Sequence, residues 1–428
     1  MRGALILWVA VLAACGSSPA SPDGGGTDGT TAIPQLVVSR ESLAPADVAV
    51  LVNSDDPQSV AVGEHYVQAR GIPAANVIAL PLGANQTTTI TPQTFAAWKT
   101  QIDAATPASI QAYAVTWIYP SVVDCMSLTS ALAFGYDVKW CTKPAPCAST
   151  APSPYFNTAG TTPFSTHQIR PAMVIAGTSI ANANALIDRG VAADATYPLG
   201  TGYLVRTTDT ARSVRYPDMQ NVASTWNKPD SLAFTYQDDS ASGTGLVTNK
   251  TDVLFYFTGL ASVDQIDTNQ YLPGAMADHL TSYGGQIPNS GQMSILRWIE
   301  AGATASFGTV VEPCNYTAKF PQVSVAVAKY FAGATLIEAY WKSVAWPGEG
   351  LFIGEPLARP YGTSYAVEAG MMTIKTTALA PNTPYKLESA ATSDGPWSMV
   401  MGDIQVAAPA LKTIAFAASE PFYRLAPQ

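Results

Sequence analysis

The chain predicts an α/β fold, a mostly parallel sheet flanked by helices, followed by a small C-terminal all-β domain. Three observations carry that expectation. The runs DVAVLVN and TDVLFYF are apolar at consecutive positions, as in strands buried on both faces. Between such runs lie stretches with apolar residues at helical spacing and cap residues at their ends. Beyond about residue 362 the pattern turns to short apolar/polar alternations separated by Pro, Gly, Asn and Asp, the habit of a small β-sandwich or meander.

Taken in order, Val48 to Asn53 is the first strand. A helix follows, started by Pro57 and Ser59 and stopped by Arg70-Gly71-Ile72-Pro73. NVIALPL is a second strand, TPQTFAAWKTQIDAA a second helix and IQAYAVTWIY a third strand. Residues 121–166 are rich in Cys, Pro, Ser and Thr and read as an excursion from the sheet. PAMVIAGTS, SIANANALIDRGVAAD and GTGYLVRTTD resume the strand, helix, strand order, and residues 238–249 read as a polar hairpin or loop. TDVLFYFTGL is the most apolar strand and belongs in the middle of the sheet. Residues 272–360 mix Gly, Trp, Tyr and paired charges more densely than a plain core requires. MMTIKTTAL, PYKLESA and KTIAFAA supply the last strands.

The first residues carry a separate signal. Leu12-Ala13-Ala14-Cys15 closes a short apolar run behind Arg2, a lipobox pattern in which residues 1–14 form a signal peptide and Cys15 receives the lipid. The run is well short of the roughly 20 residues needed to span a bilayer. Gly16 and Ser17 stand where an inner-membrane retention signal would place Asp, which favours the outer membrane. Residues 15–31 contain almost nothing that can pack and read as a flexible tether reaching about 20 Å. The folded body is then expected over residues 32–362 and 363–428.

Composition excludes one class of partner. Only 12% of residues are charged and the net charge is -9, without the clustered Lys and Arg that nucleic acid demands. Cys125, Cys141, Cys147 and Cys314 would be oxidised in an exported protein; the short spacing favours Cys141–Cys147 first and Cys125–Cys314 second. No Cys-x-x-Cys occurs, and His65, His167 and His279 are scattered, so neither zinc nor another cofactor is expected. Asp264, Asp267 and Asn269 have calcium-type oxygens but read better as a solvated turn.

VLVNSDDPQSVAVGEHYVQARGIPAANVIAL, LIDRGVAADATYPLGTGYLV, PGAMADHLTSYGG, AGATASFGTVVEPC and GEPLARP together resemble an uncharacterised family of exported bacterial proteins found in genomes with exosortase-type sorting systems. The family brings no activity with it. A more distant resemblance is to gingipain-type and caspase-like cysteine peptidases, which carry His-Gly after one central strand and Cys after the next. Here Thr258-Gly259 and Ser282 occupy those places, so the resemblance implies the fold without its thiolate chemistry. Glu355 stands where such domains carry Asp near their end.

Two functions follow. In the first, a surface lipoprotein binds an envelope polypeptide or glycan, without catalysis, in a cleft lined by Thr258, Gly259, Gly284, Gly285 and Glu355. In the second, a hydrolase uses a rearranged site of Asp278, His279, Ser282 and Glu312. Asp278 and His279 are neighbours on a strand and should point to opposite faces, which weighs against a triad.

Overall fold

The computed structural model describes residues 33–84, 86–142 and 147–428. The expected signal peptide, the lipidation expected at Cys15 and the expected tether lie outside the described residues. Pro34 to Gln428 form one compact unit.

Ten strands build the main sheet. In chain order the elements are β1 (Val48–Asn53), α1 (Pro57–Arg70), β2 (Val77–Leu80), α2 (Pro92–Ala105), β3 (Ala112–Val115), β4 (Ala172–Val174), α3 (Ile180–Ala193) and β5 (Thr201–Arg206). There follow α4 (Tyr216–Thr225), β6 (Ala233–Asp238), β7 (Val253–Thr258), β8 (Tyr271–His279), α5 (Leu296–Ala301), β9 (Ala305–Thr309), α6 (Val323–Phe331), α7 (Leu336–Ser343) and β10 (Gly350–Gly354). The strand order is β6-β5-β7-β8-β9-β10-β4-β3-β1-β2. β10 runs antiparallel to β9 and meets β4 at Ile353–Val174.

The helices begin and end where the residues dictate. Asp56 accepts from the Gln58 amide at the start of α1, Pro57 fills its first turn, and Gly71 closes it with φ 62°. Thr91 and Ser179 cap α2 and α3 in the same way. β1 and β7 are buried at every position. Phe255 and Phe257 face one apolar core and Tyr256 another, with Trp298, which explains why β7 is continuously apolar. Ala233–Asp238, just before the stretch expected to turn polar, is an edge strand with Phe234 buried. An edge strand needs only one apolar face, so its signal is weak.

The sheet contains one arrangement twice. β2-β1-β3-β4 and β6-β5-β7-β8 share the same order: a first strand, a helix to an edge strand, then a return across the first strand to the next two. The local chemistry repeats with it. The Asn53 amide at the end of β1 donates to Ser59 Oγ at 2.9 Å, and the Thr207 amide just beyond β5 donates to Ser213 Oγ at 2.9 Å, six residues on in both cases.

Thr89–Ile90, Val122–Val123 and Met126–Ser127 pair in a small sheet, and the remaining strands form two more. One, from Thr363–Glu368, Met371–Thr376 and Lys412–Ala417, is antiparallel throughout. The other joins Tyr385–Ala390, Ser398–Ile404 and Phe422–Pro427 with Gln35–Leu36, which pairs parallel to Phe422 and Tyr423. Leu36, Met372, Ile374, Leu387, Phe416 and Tyr423 share an apolar cluster of their own.

The disulfides are Cys125–Cys141 and Cys147–Cys314, neither of the pairings expected from spacing. The first lies within the excursion. The second fastens the excursion to the segment that leaves β9, where Ser127 and Thr129 also donate to the Gly350 carbonyl. Short sequence spacing gave no guide, because the excursion folds back on the sheet before its cysteines meet.

Candidate functional site

Open α/β sheets bind ligands beyond the carboxyl ends of their strands, where successive connections depart in opposite directions. Each half of this sheet has such a point. In the second half it lies between β5 and β7, and it is closed. The Thr207 hydroxyl donates to the Gly259 carbonyl at 2.8 Å, and a Cβ on Gly259 would stand 2.0 Å from the Arg212 carbonyl oxygen. Glycine is required there because two backbones touch, not because a ligand approaches.

The turn after β8 is pinned by hydrogen bonds, beside a separate cavity of about 530 Å³ lined by Ser262, Asp264, Asn289, Gln292, Met293 and Arg297. The Gln292 side-chain oxygen accepts from the Ser282 amide at 2.8 Å and from the Thr281 hydroxyl, while the Thr309 hydroxyl donates to the Thr281 and Ser282 carbonyls at 3.1 and 2.9 Å. A Cβ on Gly285 would fall 2.4 Å from the Gly308 oxygen, so Gly285 too serves backbone packing. Gly284 is buried and its carbonyl accepts from the Ile295 amide at 2.9 Å.

His279 is fully engaged. The Trp298 indole N–H, which can only donate, gives its hydrogen to Nδ1 at 2.9 Å, so the imidazole proton sits on Nε2 and points at the Met293 carbonyl 3.2 Å away. Burial holds its pKa down to about 3. Asp278 lies on the other face of β8, opposite Phe257, with Oδ1 2.6 Å from Arg215 Nη2. Burial pushes this carboxyl above its usual range, against the pull of Arg215. The Ser282 hydroxyl is half-buried and has no hydrogen bond among the described residues. Asp278 and His279 therefore diverge, as expected of neighbours on a strand, and no triad forms with Ser282.

The two glutamates do not join them. Glu312 accepts from the Cys314 amide at 2.8 Å and closes the turn after β9. Glu355 belongs to the opposite end of β9, because Gly350 faces Thr309 whereas Gly354 faces Ala305. There it is wholly buried and held by Arg70, Nε to Oε1 at 2.8 Å and Nη2 to Oε2 at 2.5 Å. Burial raises the Glu355 pKa and Arg70 opposes the rise. Thr258 is fully buried, its carbonyl accepting from Arg215 at 2.8 Å. The single cleft expected from Thr258, Gly259, Gly284, Gly285 and Glu355 is thus not assembled.

Other candidate ligands have structural partners. His65 meets Asp188 at 2.7 Å across α1 and α3, and His167 packs beside Tyr155. Asn269 accepts from the Lys250 amide at 3.0 Å and donates to the Val247 carbonyl at 2.8 Å, so its amide holds a loop. Among the described residues no group of three or more His, Cys, Asp or Glu is arranged to hold a metal ion.

The first half differs. Between the ends of β1 and β3 a cavity of about 490 Å³ remains, lined by Asn53, Asp56, Gln58, Ala84, Gln86, Thr87, Trp117, Ile118 and Tyr119. Sequence reading passed over these residues, since DDPQS read as a turn and helix start and WIY as the end of a strand. The one available signal was the polar segment directly after the first buried strand.

No protein-family model matches the chain, and no curated protein does. Among solved structures, one described as "Structure of Protease" aligns with 90% of this chain and 97% of its own, at 10% identity and a TM-score of 0.45.

Proposed function

We propose that this protein is a lipid-anchored, non-catalytic binding protein of the cell envelope, holding a polypeptide or glycan on an α/β body of the gingipain and caspase kind. The anchor rests on the lipobox at Cys15, and outer-membrane sorting on Gly16 and Ser17. The family resemblance adds an expected setting, envelopes that carry exosortase-type sorting. One observation carries the absence of catalysis: both ring nitrogens of His279 are engaged and its proton affinity is suppressed, so Ser282 has no imidazole to activate it.

Two measurements test this reading. Purified full chain incubated with casein, mixed peptides and isolated peptidoglycan should release no products, and Ser282→Ala should behave as the parent. Turnover that Ser282→Ala abolishes, with folding intact, would establish the hydrolase instead. Metabolic palmitate labelling should occur and disappear in Cys15→Ala; label that persists there would sink the anchor.

A further inference from the structure

We propose that the cavity between β1 and β3 binds a neutral, polyhydroxylated ligand, a saccharide; this rests on the binding reading above and gives it a location and a ligand class. The position is the departure point at the carboxyl ends of the first half-sheet, where α/β folds place small molecules. The equivalent point in the second half is filled by backbone, and this one is open. Its volume falls within the usual range of small-molecule sites, about 300–1,000 Å³.

The lining chemistry selects the class. Gln58 is tethered through Nε2 to the Gly177 carbonyl at 3.3 Å, and Gln86 through Nε2 to the Leu82 carbonyl, so each amide is oriented and keeps its own oxygen as an acceptor. Asp56 uses Oδ1 to cap α1 at 2.9 Å and keeps Oδ2. On the donor side, Gln58 keeps the second hydrogen of its Nε2, and Tyr119 adds a 37%-exposed ring with its hydroxyl.

No Lys, Arg or His lines the cavity, and Asp56 already occupies the N-terminus of α1, so an anion would meet uncompensated negative charge. An apolar ligand would bury these acceptors unmet, which disfavours it. Hydroxyls that both donate and accept, on a ring whose C–H face can lie against Tyr119, match what is present.

The test is calorimetric titration of the full chain, in a detergent without a sugar headgroup, with cellobiose, chitobiose and maltose, and with hexalysine and tetraglutamate as charged probes. At least one neutral disaccharide should bind saturably. Tyr119→Ala should weaken it at least tenfold and Gln86→Ala at least threefold, while Ser282→Ala leaves it unchanged.

Co-sedimentation with insoluble peptidoglycan that follows the same variants would assign the sugar to an envelope polymer. Disaccharide binding without co-sedimentation would assign a free sugar. Binding of no neutral disaccharide, binding that survives both Tyr119→Ala and Gln86→Ala, or preferred binding of hexalysine would overturn the proposal. Hydrolysis products appearing during the titration would overturn the non-catalytic reading alone, provided Tyr119→Ala still abolishes binding.

Discussion

The two halves of the main sheet share a strand order and a strand-end hydrogen bond, yet the crossover point is an open cavity in one and packed backbone in the other. At the end of β5 and β7, Gly259 lets two loops touch and the Gln292 and Thr309 side chains engage the turn after β8. At the end of β1 and β3 the corresponding loops carry Asp56, Trp117 and Tyr119, whose side chains line the cavity. The same topology thus supplies a candidate site or a sealed joint, according to whether side chains or glycines stand at the strand ends.

The largest expected effect probes the seal. Gly259→Ala would drive a methyl into the Arg212 carbonyl and should cost about 3 kcal/mol or more, whereas Ala84→Val at the rim of the open cavity should change stability by less than about 0.5 kcal/mol. Urea denaturation of both variants measures this directly. Equal costs would mean that the two halves are not differently packed.

A second expectation concerns pH. His279 has a folded-state pKa near 3, below its unfolded value, so the unfolded chain takes up a proton first as pH falls. The stability that neutral His279 contributes is therefore present above about pH 6.5 and is lost progressively down to about pH 3. Asp278 and Glu355 are both raised by burial and act with the opposite sign, stabilising the fold as pH falls, so the comparison must be made against a variant. Between pH 6.5 and 4.5 the parent should lose about 2 kcal/mol more than His279→Gln, which still offers Trp298 an acceptor. Parallel pH profiles would show that the imidazole is not held neutral.

The smallest effect sharpens the likeness between the halves. Ser59→Ala and Ser213→Ala each orphan the amide of a strand-end residue and should cost a similar amount, about 1–2 kcal/mol, with the double variant additive. A loss at one site only would mean that the repeated hydrogen bond has different weight in the two halves.

Much of the fold was legible. DVAVLVN and TDVLFYF announced buried strands because a strand covered on both faces has no polar side to reveal. Pro57 and Gly71 announced the ends of α1 through local backbone preferences that involve only near neighbours, although the cap itself proved to be Asp56. The site was much less legible. Gly259 and Gly285 looked like places where a ligand approaches, and a sequence cannot distinguish a ligand from another stretch of the same backbone. Glu355 stood near the other candidates in the dense block, but β10 runs antiparallel to β9 and carries it to the far end of that strand.

By itself, the sequence determined what depends on residues within a turn or two of each other: helix limits, the alternation of the last strands, and the divergence of Asp278 from His279. Tertiary structure decided what depends on residues far apart in the chain. Cys147 found Cys314 across 167 positions, and Arg70 found Glu355 across 285. The cavity of the first half exists only because segments after β1 and β3, some sixty residues apart, end side by side. Local propensity acts through a few bonds and leaves a periodic trace, whereas a contact between distant segments is selected by the packing of the whole core and leaves none.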